Sequence, residues 1–396
     1  MRLMSVDAAR SAMLSHVSPL PGERIALAAA LGRVLAEPVR AARDQPPFAA
    51  SAMDGYALRS AETPGRLRVI GESAAGRGFD GRLGPGEAVR IFTGAAVPAD
   101  ADAVVIQEDV ERLEDGICVP AVVSSAHVRP AGGDFQAEAQ LLATGMVLDP
   151  WRLALCAAAG LAELEVHARP RIAVLSTGEE IVAAPARPGP FQIYDSGRPA
   201  LEALIRSWGG ELAFSARAGD DLGALVSSLG EAHADLVVTL GGASVGDHDL
   251  VRAAAERLGF SPAVQSIAVR PGKPTFFGRL GDGRILLGLP GNPASAMACA
   301  QLFLKPVLRA FQGAEPGPEL ITARLEGGLG ANGPREHWMR AELKVVAGEL
   351  RCRPMRDQDS SLVTVFASAG ALVRRAPGAP ALAEGELVDV LVLDRA

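Results

Sequence analysis

Residues 172–177 (IAVLST), 211–216 (ELAFSA), 235–240 (DLVVTL) and 284–289 (RILLGL) are apolar runs of strand length, each rich in Val, Ile or Leu. Between them lie stretches with helical periodicity at 198–209 (RPALEALIRSWG), 222–232 (LGALVSSLGEA) and 249–259 (DLVRAAAERLG), and another follows at 293–308 (PASAMACAQLFLKPVL). Strands that alternate with helices of this length form βαβ units and build a parallel, doubly wound sheet.

The texture differs on either side. Residues 1–45 read as helix in SVDAARSAMLSHV (5–17) and IALAAALGRVLAEPV (25–39), separated by Pro19, Pro21 and Gly22. From residue 46, short alternating runs punctuated by Gly, Pro and Asp-Gly have the character of a small β domain. WRLALCAAAGLAEL (151–164) returns to helical spacing, so the helical pieces flanking the β insertion are expected to pack together. After AEPGPEL (314–320) the helices stop and short strand-like runs point to a C-terminal β domain. The expected fold is multidomain, α/β plus β. It divides into an interrupted helical linker domain (1–45 with 146–169), a β-rich insertion domain (46–145), a doubly wound parallel α/β domain (170–314) and a small C-terminal β domain (315–396).

Composition removes several classes of function. The 396 residues are 48% hydrophobic and 21% charged, an ordinary globular mix. No run approaches the ~18–20 apolar residues of a membrane span. The opening MRLMSVDAARSAML lacks an apolar signal region, and Cys118, Cys156, Cys299 and Cys352 form no C-x-x-C pair, so a cytoplasmic protein with core thiols is expected. Net charge is -7, and residues 51–145 hold 14 acids against 8 bases. That balance gives no basic face for nucleic acid, and 4% aromatics give no stacking platform for single strands. Arginine supplies 36 of the 39 basic residues, which sets apart Lys273, Lys305 and Lys344.

In an open parallel sheet, ligands bind beyond the carboxyl ends of the strands. The sequences at those ends are Ser176-Thr177-Gly178-Glu179-Glu180, Gly241-Gly242-Ala243-Ser244-Val245-Gly246-Asp247-His248-Asp249 and Pro290-Gly291-Asn292-Pro293-Ala294-Ser295. Small-residue loops let backbone N–H groups approach an anion closely. There is no Walker A motif and no G-x-G-x-x-G after the first strand, so NAD is not expected. Gly242-Ala243-Ser244-Val245-Gly246 matches a nucleophile elbow, but neither later histidine, His248 or His337, is placed like a triad base. Glu180, Asp195, Asp220, Asp221, Asp247 and Asp249 gather at the same edge, as helix caps or as ligands to Mg2+ shared with phosphate oxygens. Arg270-Pro271-Gly272-Lys273-Pro274 adds two cations three residues apart. Anions and a divalent metal together suggest phosphoanhydride chemistry.

Six motifs in order carry a resemblance over essentially the whole chain: Ser51-Ala52-Met53-Asp54-Gly55-Tyr56-Ala57, Phe92-Thr93-Gly94-Ala95, Ser176–Glu180, Gly241–Asp247, Arg270–Pro274 and Leu289-Pro290-Gly291-Asn292-Pro293. The chain resembles the MoeA family of molybdopterin molybdenumtransferases, also represented by the E domain of gephyrin. The resemblance implies a homodimer of four-subdomain subunits that inserts molybdenum from molybdate into adenylylated molybdopterin, releasing AMP with the help of Mg2+. It implies that the substrate is handed over by a molybdopterin adenylyltransferase of the MogA type. It implies a cleft between the α/β and C-terminal domains of one subunit and the β insertion of the other.

On the matching positions, Asp54, Thr93, Asp134, Glu180 and Asp249 are the implied catalytic residues, with Glu180, Asp249 and Asp220 holding the metal. Ser176, Thr177, Gly178, Gly241, Gly242, Ser244, Gly246, Pro290, Gly291, Asn292 and Pro293 would bind the substrate. Arg270, Lys273, Arg340 and Ser360 would bind molybdate. The chain departs from the family pattern at Gly197 (Asn in Tyr-Asp-Ser-Asn), at Leu240 (Ser or Thr before Gly-Gly) and at Leu362-Val363-Thr364-Val365 (a Leu-Ser-Ser segment). A non-catalytic pterin-binding or scaffolding relative, and a serine hydrolase, are the alternative readings.

Overall fold

The computed structural model describes residues 3–219, 221–242 and 250–393. They fall into two compact units, one of Arg24–Leu31 and Glu37–Leu164, the other of Met1–Glu23, Gly32–Ala36 and Glu165–Ala396. The first unit holds a six-stranded sheet in the order Ala103–Ile106, Gly55–Leu58, Glu87–Ile91, Gly65–Ser73, Gly116–Val119, Glu111–Arg112. Residues two apart share a face in a strand. Tyr56 and Leu58 therefore pack with Leu67, Val105 and Ile117 on one side, while Ala57 joins Ile91 and Val104 on the other.

The helix expected within 25–39 does not form. Gly22–Ala26 is a strand and Leu27–Ala29 a single 3-10 turn. Ala26 offers no side-chain oxygen to cap a helix there, and Gly32 at φ +72° turns the chain away. The alanine-rich periodicity is real, but nothing starts or sustains a helix on it. Val6–Leu14 is helical as expected, with Ser5 Oγ accepting the Ala8 N–H. Its buried Val6, Ala9 and Met13 join the core of the α/β sheet. Val6–Leu14 and the helix Pro150–Ala158 belong to different units, while the segments flanking the insertion meet where Gly22–Ala26 pairs with Glu163–His167.

The second unit contains a six-stranded sheet ordered Glu211–Arg217, Arg171–Ser176, Leu236–Leu240, Ile285–Leu289, Phe276–Arg279, Ser261–Val264. The first four strands are parallel, as expected; Phe276–Arg279 runs antiparallel to both its neighbours, Ile285–Leu289 and Ser261–Val264, so the sheet is mixed. The change of direction comes from a tight hairpin around Asp282-Gly283, where Leu280 N–H bonds to Arg284 O and Gly283 sits at φ +92°. Alternate residues face opposite helical layers. Ile172, Val174, Val238 and Leu287 point to one core, and Ala173, Leu175, Val237 and Leu286 to the other. Pro293–Cys299, the π-turn Ala300–Leu304 and Lys305–Phe311 form one continuous helical stretch. The π-turn falls just before Pro306, which has no amide hydrogen to keep the α register.

The C-terminal strands Ile321–Leu325, Glu336–Val346, Glu349–Pro354, Ala371–Arg375 and Leu387–Val392 close on themselves. Each pairs with two neighbours, and Glu336–Val346 meets both Glu349–Pro354 and Ala371–Arg375. A closed barrel leaves no open edge. Val269–Arg270 adds alongside Glu336–His337, which joins the barrel to the chain leaving the α/β sheet. Among the described residues no helix is long and apolar enough to cross a membrane.

Gly288 lies in a fully buried strand, and a Cβ there would overlap the Phe276 ring. Gly288→Ala should lower the unfolding free energy by about 1–3 kcal/mol in denaturant titration. Adding Phe276→Leu should recover part of that loss; purely additive losses would show that the two positions do not collide.

Candidate functional site

A cleft of about 940 Å³ opens at the carboxyl edge of the sheet. Three adjacent strands feed it. Ser176, Thr177 and Gly178 follow the first, Gly241 and Gly242 the second, and Pro290, Gly291, Asn292 and Pro293 the third, all lining the cleft. The loops are bonded to one another through the backbone: Thr177 N–H donates to Leu240 O (2.9 Å) and Gly241 N–H to Leu289 O (3.3 Å). Gly241 adopts φ +86°, and a Cβ there would stand 2.8 Å from Thr177 Oγ1. A Cβ on Gly291 would lie 3.3 Å from Gly241 Cα. Only glycine permits that approach. Ser176 is 3% exposed, and its Oγ has no hydrogen-bond partner among the described residues, which leaves it available to a ligand.

The walls are less uniform. Glu180 is exposed, lines the cleft and folds its carboxylate over Gly178, and it has no side-chain partner among the described residues. Asp195, by contrast, is committed to Arg198, accepting its N–H and Nε at 3.0 Å each. Asp221 caps the helix Leu222–Glu231 through Ala224 N–H. Asp220, Ser244 (the serine of the elbow-like motif), Gly246 and Asp249, with Asp247 and His248, lie outside the described residues. Gly197 and Leu240, two positions where the chain departs from the family pattern, share one patch of cleft lining: a Cβ at 197 would touch Leu240 Cδ1 at 3.7 Å. Val363, at the third departure, also lines the cleft.

Basic residues cluster around the start of the barrel. Arg340 is 1% exposed. Its Nε bonds to Gln358 Oε1 (3.3 Å), but neither Nη1 nor Nη2 has a partner among the described residues. Burial pulls its pKa down, and the nearby Asp357 and Asp359 carboxylates oppose that. Arg270 is exposed and stands in register beside His337. Lys273 is half-buried on a turn where Gly272, at φ +114°, lies so close to Cys299 Sγ that a Cβ would overlap it. Arg270, Lys273, Arg340 and Ser360 do not line the main cleft, although Pro274 and Ser361 do. Ser360 reaches the substrate loop: its Oγ accepts from Asn292 Nδ2 (2.9 Å) and its carbonyl from Ala294 N–H (3.1 Å). Sequence reasoning missed Gln358, Ser361, Ile193 and Tyr194. The only signal for the first two was a polar run, Arg356-Asp357-Gln358-Asp359-Ser360-Ser361, following a strand.

In the other unit, Asp54 Oδ1 accepts the Thr93 N–H (2.7 Å) and its hydroxyl (2.8 Å). These bonds, the backbone one first, hold the Asp54 carboxyl below its ordinary range, with help from Arg90. Arg90 lies over the Tyr56 and Phe92 rings at 5.1 and 4.7 Å. Asp134 is exposed, and only its backbone is tied, to Gln45 O; it shares no hydrogen bond with the Asp54–Thr93 pair among the described residues.

Glycine loops at the carboxyl edge of a doubly wound sheet, with a closed barrel packed beside them, define a multidomain α/β ligand-binding protein. Three family models cover the chain: "MoeA N-terminal region (domain I and II)" over residues 4–160, "Probable molybdopterin binding domain" over 173–310 and "MoeA C-terminal region (domain IV)" over 322–393. The chain belongs to the MoeA family. It is 36% identical over 340 residues to the molybdopterin molybdenumtransferase of a Nostoc species, covering 82% of this chain and 78% of that one. It is 30% identical over 393 residues to the enzyme of that name from Staphylococcus aureus, covering 96% and 94%. The crystal structure of a molybdopterin biosynthesis MoeA protein from Pyrococcus horikosii superposes with a TM-score of 0.85 at 32% identity, over 100% of both chains.

His337, 7% exposed, is pushed down to about 4, first by burial and then by Arg270, Arg340, Arg335 and Arg375. In the unfolded chain it titrates near ~6.5. The unfolded state therefore binds the extra proton between those values, and stability present above ~6.5 is lost as pH falls toward 4. The melting midpoint should drop between pH about 7 and about 4.5, and less steeply for His337→Asn. Equal slopes would show that His337 is not the group responsible.

Proposed function

We propose that the chain inserts molybdenum from molybdate into the dithiolene of adenylylated molybdopterin, releasing AMP. The observation that carries this reading is the convergence of three backbone-lined loops on one cleft, joined through residues 357–361 to a buried arginine with an open amino fork. The N–H groups of Gly242, Gly291 and Asn292, with the unpartnered Ser176 hydroxyl, suit the phosphates and the pterin's polar edge. Molybdate is a tetrahedral dianion and calls for cationic donors. Arg340, Arg270 and Lys273 supply them, with Ser360 as a hydroxyl. Positioning and charge stabilisation then account for the rate without a covalent enzyme intermediate.

Among the described residues no three carboxylate, His or Cys side chains converge as a ready-made cage. One unpaired acid in the cleft, Glu180, suits Mg2+ shared with substrate phosphates, since this ion is held through one or two carboxylates and phosphate oxygens. Glu180, Asp249 and Asp220 would hold it, and bound there it would offset charge on the phosphoanhydride. Asp54 and Thr93, with Asp134, serve the same reaction from the second subunit of a homodimer. A MogA-type adenylyltransferase delivers the substrate, and the reaction takes place in the cytoplasm.

Titrating molybdate while following AMP release tests this reading. Lys273→Ala and Arg340→Ala should each raise the half-saturating molybdate concentration by about 10- to 150-fold, the range of a charge-assisted hydrogen bond, and leave pterin binding much less affected. Unchanged half-saturation in both variants would refute the assigned pocket, and AMP release without molybdate would refute the reaction. Mixing Asp54→Ala and Asp249→Ala chains should restore activity through heterodimers with one intact site; fully mixed heterodimers without activity would exclude a shared cleft.

A further inference from the structure

Burying an unpartnered guanidinium is unfavourable, so the open fork of Arg340 requires an explanation. Two carboxylates lie close enough to favour its charged form, yet neither pairs with it. Asp359 Oδ1 is occupied by Ser361, accepting its N–H (2.8 Å) and its hydroxyl (2.6 Å). Asp357 Oδ1 accepts the Asp359 N–H (2.8 Å). The residue between them, Gln358, turns onto Arg340 instead. Its Oε1 accepts Arg340 N–H (3.0 Å) and Nε–H (3.3 Å). Its Nε2 donates to Arg340 O (2.9 Å) and Met355 O (2.8 Å).

This is the full hydrogen-bonding capacity of an amide, nearly all of it directed at one residue. A neutral group thus grips the inner edge of the guanidinium and leaves the charge unneutralised. The planar fork that remains, Nη1 and Nη2, matches two oxygens of a tetrahedral anion. Two residues beyond Gln358, Ser360 is bonded to Asn292 of the cleft, so the same segment fixes the arginine and the hydroxyl together.

We infer that Gln358 is a positioning residue for oxyanion binding, holding Arg340 with its fork open and its charge available to molybdate. This rests on the reading of Arg340 as a molybdate ligand. Two variants of the full chain separate orientation from charge. Gln358→Glu keeps the size but places a carboxylate against Nε and loses both amide donors. Gln358→Leu keeps neutrality and loses the grip. Calorimetry with sodium molybdate alone should show affinity reduced by about tenfold or more for Gln358→Glu and by a smaller factor for Gln358→Leu. AMP affinity of Gln358→Leu should stay near that of the parent chain. In turnover, the half-saturating molybdate concentration should rise while kcat at saturating molybdate changes little in Gln358→Leu.

If Arg340→Ala abolishes molybdate binding while both Gln358 variants bind like the parent, the positioning role is overturned and the function stands. If Arg340→Ala binds molybdate normally, the pocket assignment fails and this inference fails with it. A loss in Gln358→Leu equal to or larger than that in Gln358→Glu and matched by a lower melting midpoint would mark Gln358 as merely structural.

Discussion

At the carboxyl edge of the sheet, the backbones of residues 177, 241 and 291 meet with no room for side chains between them. A Cβ at 241 would press on Thr177, and a Cβ at 291 on Gly241. Parallel neighbours deliver three loops to one place, and glycine lets them close to backbone contact. The base of the cleft is therefore made of main-chain groups held in place by the sheet. Selectivity has to come from the parts set around that base: the ribbon at Ile181–Val182 and Ile193–Tyr194, the helix beginning at Gly197, and the polar segment that leaves the barrel.

The barrel matters to the site through two connections. Its longest strand, Glu336–Val346, carries His337, Trp338 and Arg340, all buried, and takes Arg270 alongside. The segment after Glu349–Pro354 then crosses from Arg340, through Gln358, to Asn292, through Ser360. Positive charge is thus held beside the phosphate-type loops by a closed, edge-free scaffold instead of by mobile surface side chains. Burial first, and this concentration of cations second, push His337 down to about 4 and keep it neutral.

The α/β sheet was legible because its central strands are apolar on both faces and its helices recur between them. The five barrel strands were legible for the same kind of reason. The stretch 25–39 misled because alanine gives helical spacing without requiring a helix, and here neither a cap nor an uninterrupted run supports one. The antiparallel strand at Phe276–Arg279 was missed because FFGR is a short run hidden behind the Pro-Gly turn. Within the site, glycine loops announce themselves by composition alone. Burial does not: nothing local distinguishes Arg340 from the other 35 arginines, and its partner Gln358 is eighteen residues away. Asp54 and Thr93, thirty-nine residues apart, meet only because sheet pairing brings Gly55–Leu58 beside Glu87–Ile91.

The most direct measurement is the metal content of the product. Purified protein would be given adenylylated molybdopterin, molybdate and Mg2+, and the released pterin would be assayed for molybdenum alongside AMP. The account requires molybdenum and AMP to appear in equal amounts, with neither formed when molybdate is omitted. AMP released without molybdenum entering the pterin would contradict it.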